Sequence, residues 1–331
     1  MQRKEFFIGI DVSKETLDVA IQGTLHHIRI PNGSEGFKQL LAWFKALGID
    51  VSRCWFVLEY TGGYEYRIIQ FCVSKNITFT RVPGLEIKKS MGMQRGKNDK
   101  IDSKRIAEYG YEKREKIQPD TPQSASILRI KQLLTQRDGF INDKKANEHR
   151  VKELLVMMDF KENDPLIKNY YLAVDFAQKM IDKTEHALNE IIEKEDGLKT
   201  TFRLLTSIPG IGPVNAWTTI AFTENFKRFS DARKYGSYCG VVPFDHTSGK
   251  SIKKKSRVNH MANKDAKAKL DMAAKASIMY DPEMNAYYQR RKILGKHHMS
   301  IMNEVKFKLI LRMFAVVNKQ EIFVEKPKIA A

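Results

Sequence analysis

Residues 5–11, EFFIGID, and residues 54–60, CWFVLEY, decide how this chain is read. Each is a short apolar run rich in aromatic and branched side chains. That length and composition suit a strand buried on both faces better than a helix. Each also carries a carboxylate at its end, Asp11 as the last residue of the first run and Glu59 as the last but one of the second, just ahead of the turn residues Thr61, Gly62 and Gly63. Open α/β sheets place their ligands beyond the carboxyl ends of their strands, so both acids stand where chemistry is done.

Working outward, LDVAIQ (17–22) and LHHIRIPN (25–32), separated by Gly23-Thr24, continue the first run as an antiparallel meander. Ser34 is placed to cap a helix carrying Phe37, Leu40, Leu41 and Phe44 at helical spacing. After the second strand and the Gly62-Gly63 break, YEYRIIQFCVSKN reads as a helix and ITFTRVP (77–83) as a strand. A short helix over 84–92 and a charged amphipathic helix over 100–116, with Ile101, Ile106 and Tyr109 on its apolar side, complete the first third. The order of three strands, helix, strand, helix, strand, helix predicts a mixed sheet with an antiparallel start and parallel additions.

Two more acids lie at the start of that last helix. Asp99 and Asp102 in KNDKIDSK are three residues apart, which puts both on one face of a helical first turn. Taken singly, each of the four acids reads as a turn residue or a solvated helix face. Four carboxylates brought together repel one another, and hard oxygen-seeking Mg²⁺ relieves that cost. Two such ions, ~3.5–4 Å apart, activate an attacking oxygen and stabilise a leaving one at a phosphodiester. Mn²⁺ suits the same ligands. Glu15 and Asp18 are expected to face solvent.

Residues 124–196 are helical. Ile127, Ile130, Leu133, Leu134, Val151, Leu154 and Leu155 form one stripe, a polar break covers 161–165, and Ile167, Ile181, Leu188 and Ile192 lie in a second. Two antiparallel helices, coiled-coil in character, fit this pattern as a linker, a dimerisation arm or both. From about residue 201 the chain is mostly helical again, with Gly236–Lys255 a loop-rich exception. SIPGIGPVNAWTTIAF (207–222) reads as a helix-hairpin-helix-like element or a plain interhelical turn. In the first case Gly210 and Gly212 present backbone N–H groups to a phosphate, and Lys227 and Arg228 follow as phosphate contacts. Further on, Ser248-Gly249 sits beside Lys250, Lys253, Lys254, Lys255 and Arg257. By itself Ser-Gly is an ordinary turn, yet a serine among cations is also suited to attack a phosphodiester. Tyr280, Tyr287 and Tyr288 read either as stacking platforms for bases or as core. His297-His298 has no metal-ligand spacing.

Charge separates these segments. The chain of 331 residues carries +18. It has 20 basic against 15 acidic residues in 1–120, 13 against 14 in 121–200 and 24 against 10 in 201–331. A strongly basic last third implies a polyanionic partner, because neutralising phosphates releases counterions. No apolar run reaches the length of about 18 residues needed for a membrane span, and no leader is read at the N-terminus. Cys54, Cys72 and Cys239 are scattered and read as buried thiols.

The texts GIDVSKETLDVAI around Asp11, LEYTGGY around Glu59 and KNDKIDSKRIAEY around Asp99 and Asp102 resemble the insertion-sequence 110 family of transposases, over about residues 5–320. Its first domain is of the RNase H-like, RuvC type and carries a DEDD tetrad. Asn98 and Ser103 depart from the family's commoner wording and leave the four acids intact. The resemblance implies that Asp11, Glu59, Asp99 and Asp102 bind Mg²⁺. It also implies that Ser248, within a G-x-x-P…SG pattern formed by Gly240, Pro243, Ser248 and Gly249, is the nucleophile that holds cleaved DNA, with Ser251 and Ser256 as neighbouring decoys. Strand exchange between element ends and target, and guidance by a structured RNA, follow from the resemblance and not from residue spacing.

The expected architecture is therefore α/β plus α: an RNase H-like DEDD domain over 1–120, a helical coiled-coil linker over 121–200 and a basic, mostly helical DNA-binding domain over 201–331. The expected protein is a cytoplasmic, nucleoid-associated homo-oligomer, dimer or tetramer, that binds double-stranded DNA and a guide RNA. Two alternatives stand beside it. One is a junction-resolving nuclease that uses metal-activated water. The other is a nucleic-acid binder without catalysis.

Overall fold

The computed structural model describes residues 4–90, 99–248, 252–258 and 262–324. The chain forms two compact units, Met1–Pro122 and Gln123–Ala331.

The first unit is built on a five-stranded sheet: β1 (Phe6–Val12), β2 (Thr16–Ile21), β3 (His27–Pro31), β4 (Cys54–Glu59) and β5 (Thr78–Val82). Their order is β3-β2-β1-β4-β5. β1, β2 and β3 pair antiparallel, and β4 and β5 are added in parallel. Strand alternation sends successive side chains to opposite faces, and each face is covered by its own helices. Ile8, Ile10, Leu17, Val19, Phe56 and Leu58 pack on one side against α1 (Ser34–Ala46) and α2 (Tyr66–Ser74). Phe7, Val57 and Val82 pack on the other against α3 (Gly84–Ser90) and α4 (Asp99–Glu112). Burying each such side chain contributes about 1.5–3 kcal/mol, which accounts for the near-continuous apolar reading of β1 and β4.

Asp11 and Glu59 have the parity of Phe7 and Val57, so both belong to the α4 face. Gly9 shares that face, and there the helix nearly touches the sheet. A Cβ on Gly9 would lie 2.0 Å from the Ser103 carbonyl oxygen and 2.2 Å from the Ala107 nitrogen. Ser103 and Ala107 are themselves fully buried. Small residues on strand and helix thus set how closely α4 approaches the sheet. One expected detail differs. Ser34 is the first residue of α1, with Gly33 at the cap and no side-chain cap hydrogen bond.

The second unit begins with α5 (Ala125–Met157) and α6 (Pro165–Lys194). Ser124 caps the first and Asp164, ahead of Pro165, the second. Arg137 pairs with Glu185 and Lys144 with Gln178, a reversed order that makes the two helices an antiparallel hairpin. Next come α7 (Asp196–Thr206), α8 (Pro213–Thr223), α9 (Ala232–Tyr238), α10 (Lys264–Tyr280), α11 (Pro282–Ile293) and α12 (His298–Lys319). These close around one core in which Trp217, Tyr235, Leu309 and Met313 are buried. The stretch read as loop-rich is partly ordered as a hairpin, β6 (Pro243–Ser248) with β7 (Ile252–Val258), paired antiparallel. Its lysines hid the strand pattern, because on a two-stranded ribbon neither face needs to be apolar. The three cysteines are free and buried.

Candidate active site

The last registered pair between β1 and β4 is Ile10 with Leu58. One step further, Asp11 and Glu59 stand side by side at the carboxyl ends of two parallel strands. Asp11 is also registered directly opposite Asp18 on β2. Asp99 opens α4 and Asp102 lies in its first turn, on the helix that Gly9 admits to this face.

The electrostatics record this proximity. The Asp11 carboxyl is pushed up from 3.8 to about 6, first by burial and then by the charges of Asp99, Glu59, Asp102 and Asp18. A carboxylate so placed is short of positive charge. Part of that charge is supplied by arginines. Arg29 Nη2 donates to Asp99 Oδ2 at 3.1 Å, and Arg105 Nη1 to Asp102 Oδ1 at 2.9 Å. With Asp99 and Asp102 turned to these partners, no three carboxylates among the described residues form a ready-made metal-ligand set. The donor set is all carboxylate oxygen, which is the chemistry hard divalent cations select.

Asp18 corrects the sequence reading. It is buried, hydrogen-bonded to His27 Nε2 at 2.9 Å and ion-paired with Arg29 Nε at 3.4 Å, and so does not face solvent. Arg29 thereby spans Asp18 and Asp99. The signal was present in the alternation of the strands. In LDVAI, Asp18 falls on the α4 face, and His27 and Arg29 alternate on β3 beside it, Arg29 registered with Asp18.

Gly84 is a second residue that the sequence reading passed over. Its Cα lies against the Glu59 carboxylate, and a Cβ there would sit 1.9 Å from Glu59 Oε1. Only the far end of a side chain is in the way, so Gly84→Ala is expected to swing Glu59 aside while leaving thermal stability within about 0.5–1 kcal/mol. Recombination should fall with little change in Tm; unchanged recombination would show that the Glu59 position is immaterial.

In the second unit, the turn between α7 and α8 is made by Gly210 in the left-handed region, φ 89°. A Cβ on Gly210 would come within 2.7–2.8 Å of Ser277 and Ala273 on α10. Gly210 therefore serves close packing, whereas Gly212 is exposed as the N-cap of α8. Lys227 and Arg228 are exposed, the latter over the rings of Phe229 and Tyr238 at 5.2 and 5.0 Å. Ser248 ends β6, and Lys253, Lys254, Lys255 and Arg257 lie along β7. Gly249, Lys250 and Ser251 lie outside the described residues. Tyr287 and Tyr288 pack against the core, while Tyr280 is exposed.

A transposase family model matches residues 8–158, spanning all four acids, and the model for transposases of the IS116/IS110/IS902 family matches residues 202–289, spanning Ser248. The chain belongs to this family. Relatives include the pilin gene-inverting proteins of Moraxella lacunata and Moraxella bovis, each 26% identical over 96% of this chain and 97% of the relative. An insertion element IS110 protein of Streptomyces coelicolor is 28% identical over 34% of this chain and 28% of its own length. The transposase is thus a DNA recombinase, and its five-stranded sheet with flanking helices is an RNase H-like domain followed by a helical region. No helix among the described residues is long and apolar enough to cross a membrane.

Proposed function

We propose that this transposase cuts and rejoins double-stranded DNA with a divalent-cation site at Asp11, Glu59, Asp99 and Asp102 and a serine nucleophile at Ser248. The observation that carries the first part is the Asp11 carboxyl, lifted to about 6 by burial and by the surrounding acids. One or two Mg²⁺ ions, or Mn²⁺, held by the four carboxylates would supply Lewis-acid stabilisation to phosphodiester oxygens.

The chain's own residues do the rest. Asp11 and Glu59 are fixed by β1 and β4, while Asp99 and Asp102 are held in reserve by Arg29 and Arg105. The Ser248 hydroxyl attacks phosphorus and releases its proton, and the DNA oxygen leaves as a free hydroxyl. A hydroxyl of the exchanged strand then attacks the phosphoserine and restores Ser248. Exposed Gly212, Lys227 and Arg228, with the cations of β7, take phosphates. The helical arm of α5 and α6 links the two catalytic parts or pairs copies into a homo-oligomer. The relatives named for inverting a pilin gene point to DNA rearrangement as the outcome. Guidance by an RNA and action at the nucleoid in the cytoplasm complete the reading.

Ser248→Ala tests the covalent step. Incubated with substrate DNA and Mg²⁺, the wild-type chain should yield a protein–DNA adduct on denaturing gels. The variant should yield none while binding DNA with unchanged affinity. An adduct of equal yield in Ser248→Ala removes the serine from the mechanism and leaves metal-activated water, the nuclease alternative, as the attacking group.

A further inference from the structure

Between α11 and α12 the chain makes a tight turn whose tip is apolar. Ile293 is 85% exposed and Leu294 68% exposed, adjacent and outside the core against which Tyr287 and Tyr288 pack. Isolated exposed aliphatics are common on protein surfaces, but this pair sits on a rigid support. Leu294, Gly295 and Lys296 donate their N–H groups back to the carbonyls of Arg290, Lys292 and Arg291, with Gly295 at φ 73°. Beneath the turn, Glu304 accepts from Arg291 on the entering side and from Lys296 on the leaving side, and also from Tyr287. Burial alone would raise Glu304, but these hydrogen bonds outweigh it and hold it at about 2, so the clamp stays charged at neutral pH.

The clamp uses Arg291 and Lys296. Arg290 and Lys292, both exposed, have no carboxylate within ion-pair distance among the described residues. The tip therefore presents two aliphatic side chains, already ordered, just after two cations that pair with no carboxylate among the described residues, Lys292 and Arg290, the latter lying over the Tyr287 ring at 5.6 Å. Polyanionic duplexes are bent by such devices: apolar side chains enter between base steps while flanking cations hold phosphates, and the cost of unstacking is offset by the added contacts. Preordering removes the entropy that a flexible loop would lose on insertion. A lipid surface would call for a longer amphipathic face, and a second copy of this basic chain would bring cations against cations.

We propose that Ile293 and Leu294 form a wedge that enters the base stack of double-stranded DNA and bends it, with Arg290 and Lys292 on the flanking phosphates. This rests on the DNA-rearranging reading above. The test uses the full chain and short duplexes labelled at both ends for energy transfer, in EDTA so that no strand is cut. Wild-type protein should raise the transfer by bending the duplex. I293S/L294S should abolish that rise and weaken binding by roughly 10- to 100-fold, with Tm and the salt slope unchanged. I293M/L294M should keep the bend. Lys292→Gln should keep it too and lower the salt slope by about 1. An unchanged bend in I293S/L294S overturns the wedge alone. So does loss of self-association in that variant with the bend retained, which would assign the tip to a second copy. Failure of the wild-type chain to bind any duplex overturns the DNA reading together with the wedge.

Discussion

Asp11→Asn is expected to reduce DNA recombination by ~10²- to 10³-fold, the scale of losing a group that stabilises developing charge, and to make the folded chain more stable. The two effects have one cause. Asp11 is ionised at neutral pH against burial and four neighbouring acids, which lift its carboxyl to about 6. The sign is fixed by that shift. The folded chain holds the Asp11 proton more tightly than the unfolded chain, so ionisation costs stability. The cost appears as pH rises from about 4 to about 6 and persists above. Asparagine removes the charge and keeps the shape, so Tm above pH 6 should rise while recombination is lost, the trade-off expected where a strained site serves activity. Thermal melts beside a recombination assay read both. A variant that loses activity and also melts earlier would mean that Asp11 is a structural residue.

Gly9→Ala should be nearly as damaging by a different route. The new methyl would overlap the Ser103 carbonyl oxygen and the Ala107 nitrogen, both backbone atoms of α4, at 2.0 and 2.2 Å. No rotamer change relieves that, so the helix must move away from the sheet. Overpacking of this kind costs about 1–3 kcal/mol or more. The same movement carries Asp99 and Asp102 away from Asp11 and Glu59, so recombination should fall well beyond what the stability loss explains. Low residual activity measured at a temperature where the variant is fully folded would confirm the second effect. Wild-type activity in the folded variant would show that the spacing of α4 does not set the site.

These two positions show what the sequence can disclose. The strands carrying Asp11 and Glu59 were legible because a strand buried on both faces reads as an unbroken apolar run, and a charge at its end stands out. Asp99 and Asp102 were legible as a pair at helical spacing. Gly9 was not, since a glycine inside an apolar run gives no sign of the helix that will press on it from elsewhere in the chain. Gly84 was hidden for the same reason, its partner Glu59 being remote in sequence. Asp18 was misread because a charged residue in a strand defaults to solvent, and only the register with Arg29 and the pairing with His27 show it enclosed. The β6–β7 hairpin escaped because its lysines mask strand periodicity.

Asp11, Glu59, Asp99 and Asp102 are proposed to act together as one cation site. Calorimetric titration of Mn²⁺ into the DNA-free chain, at pH about 7.5 and about 5, tests it on either side of the Asp11 titration. Tight binding at the higher pH, weakened at least ~10-fold at the lower and equally weakened in Asp11→Asn, is the predicted result. Affinity that ignores pH and survives Asp11→Asn would mean that the acids hold no cation in common.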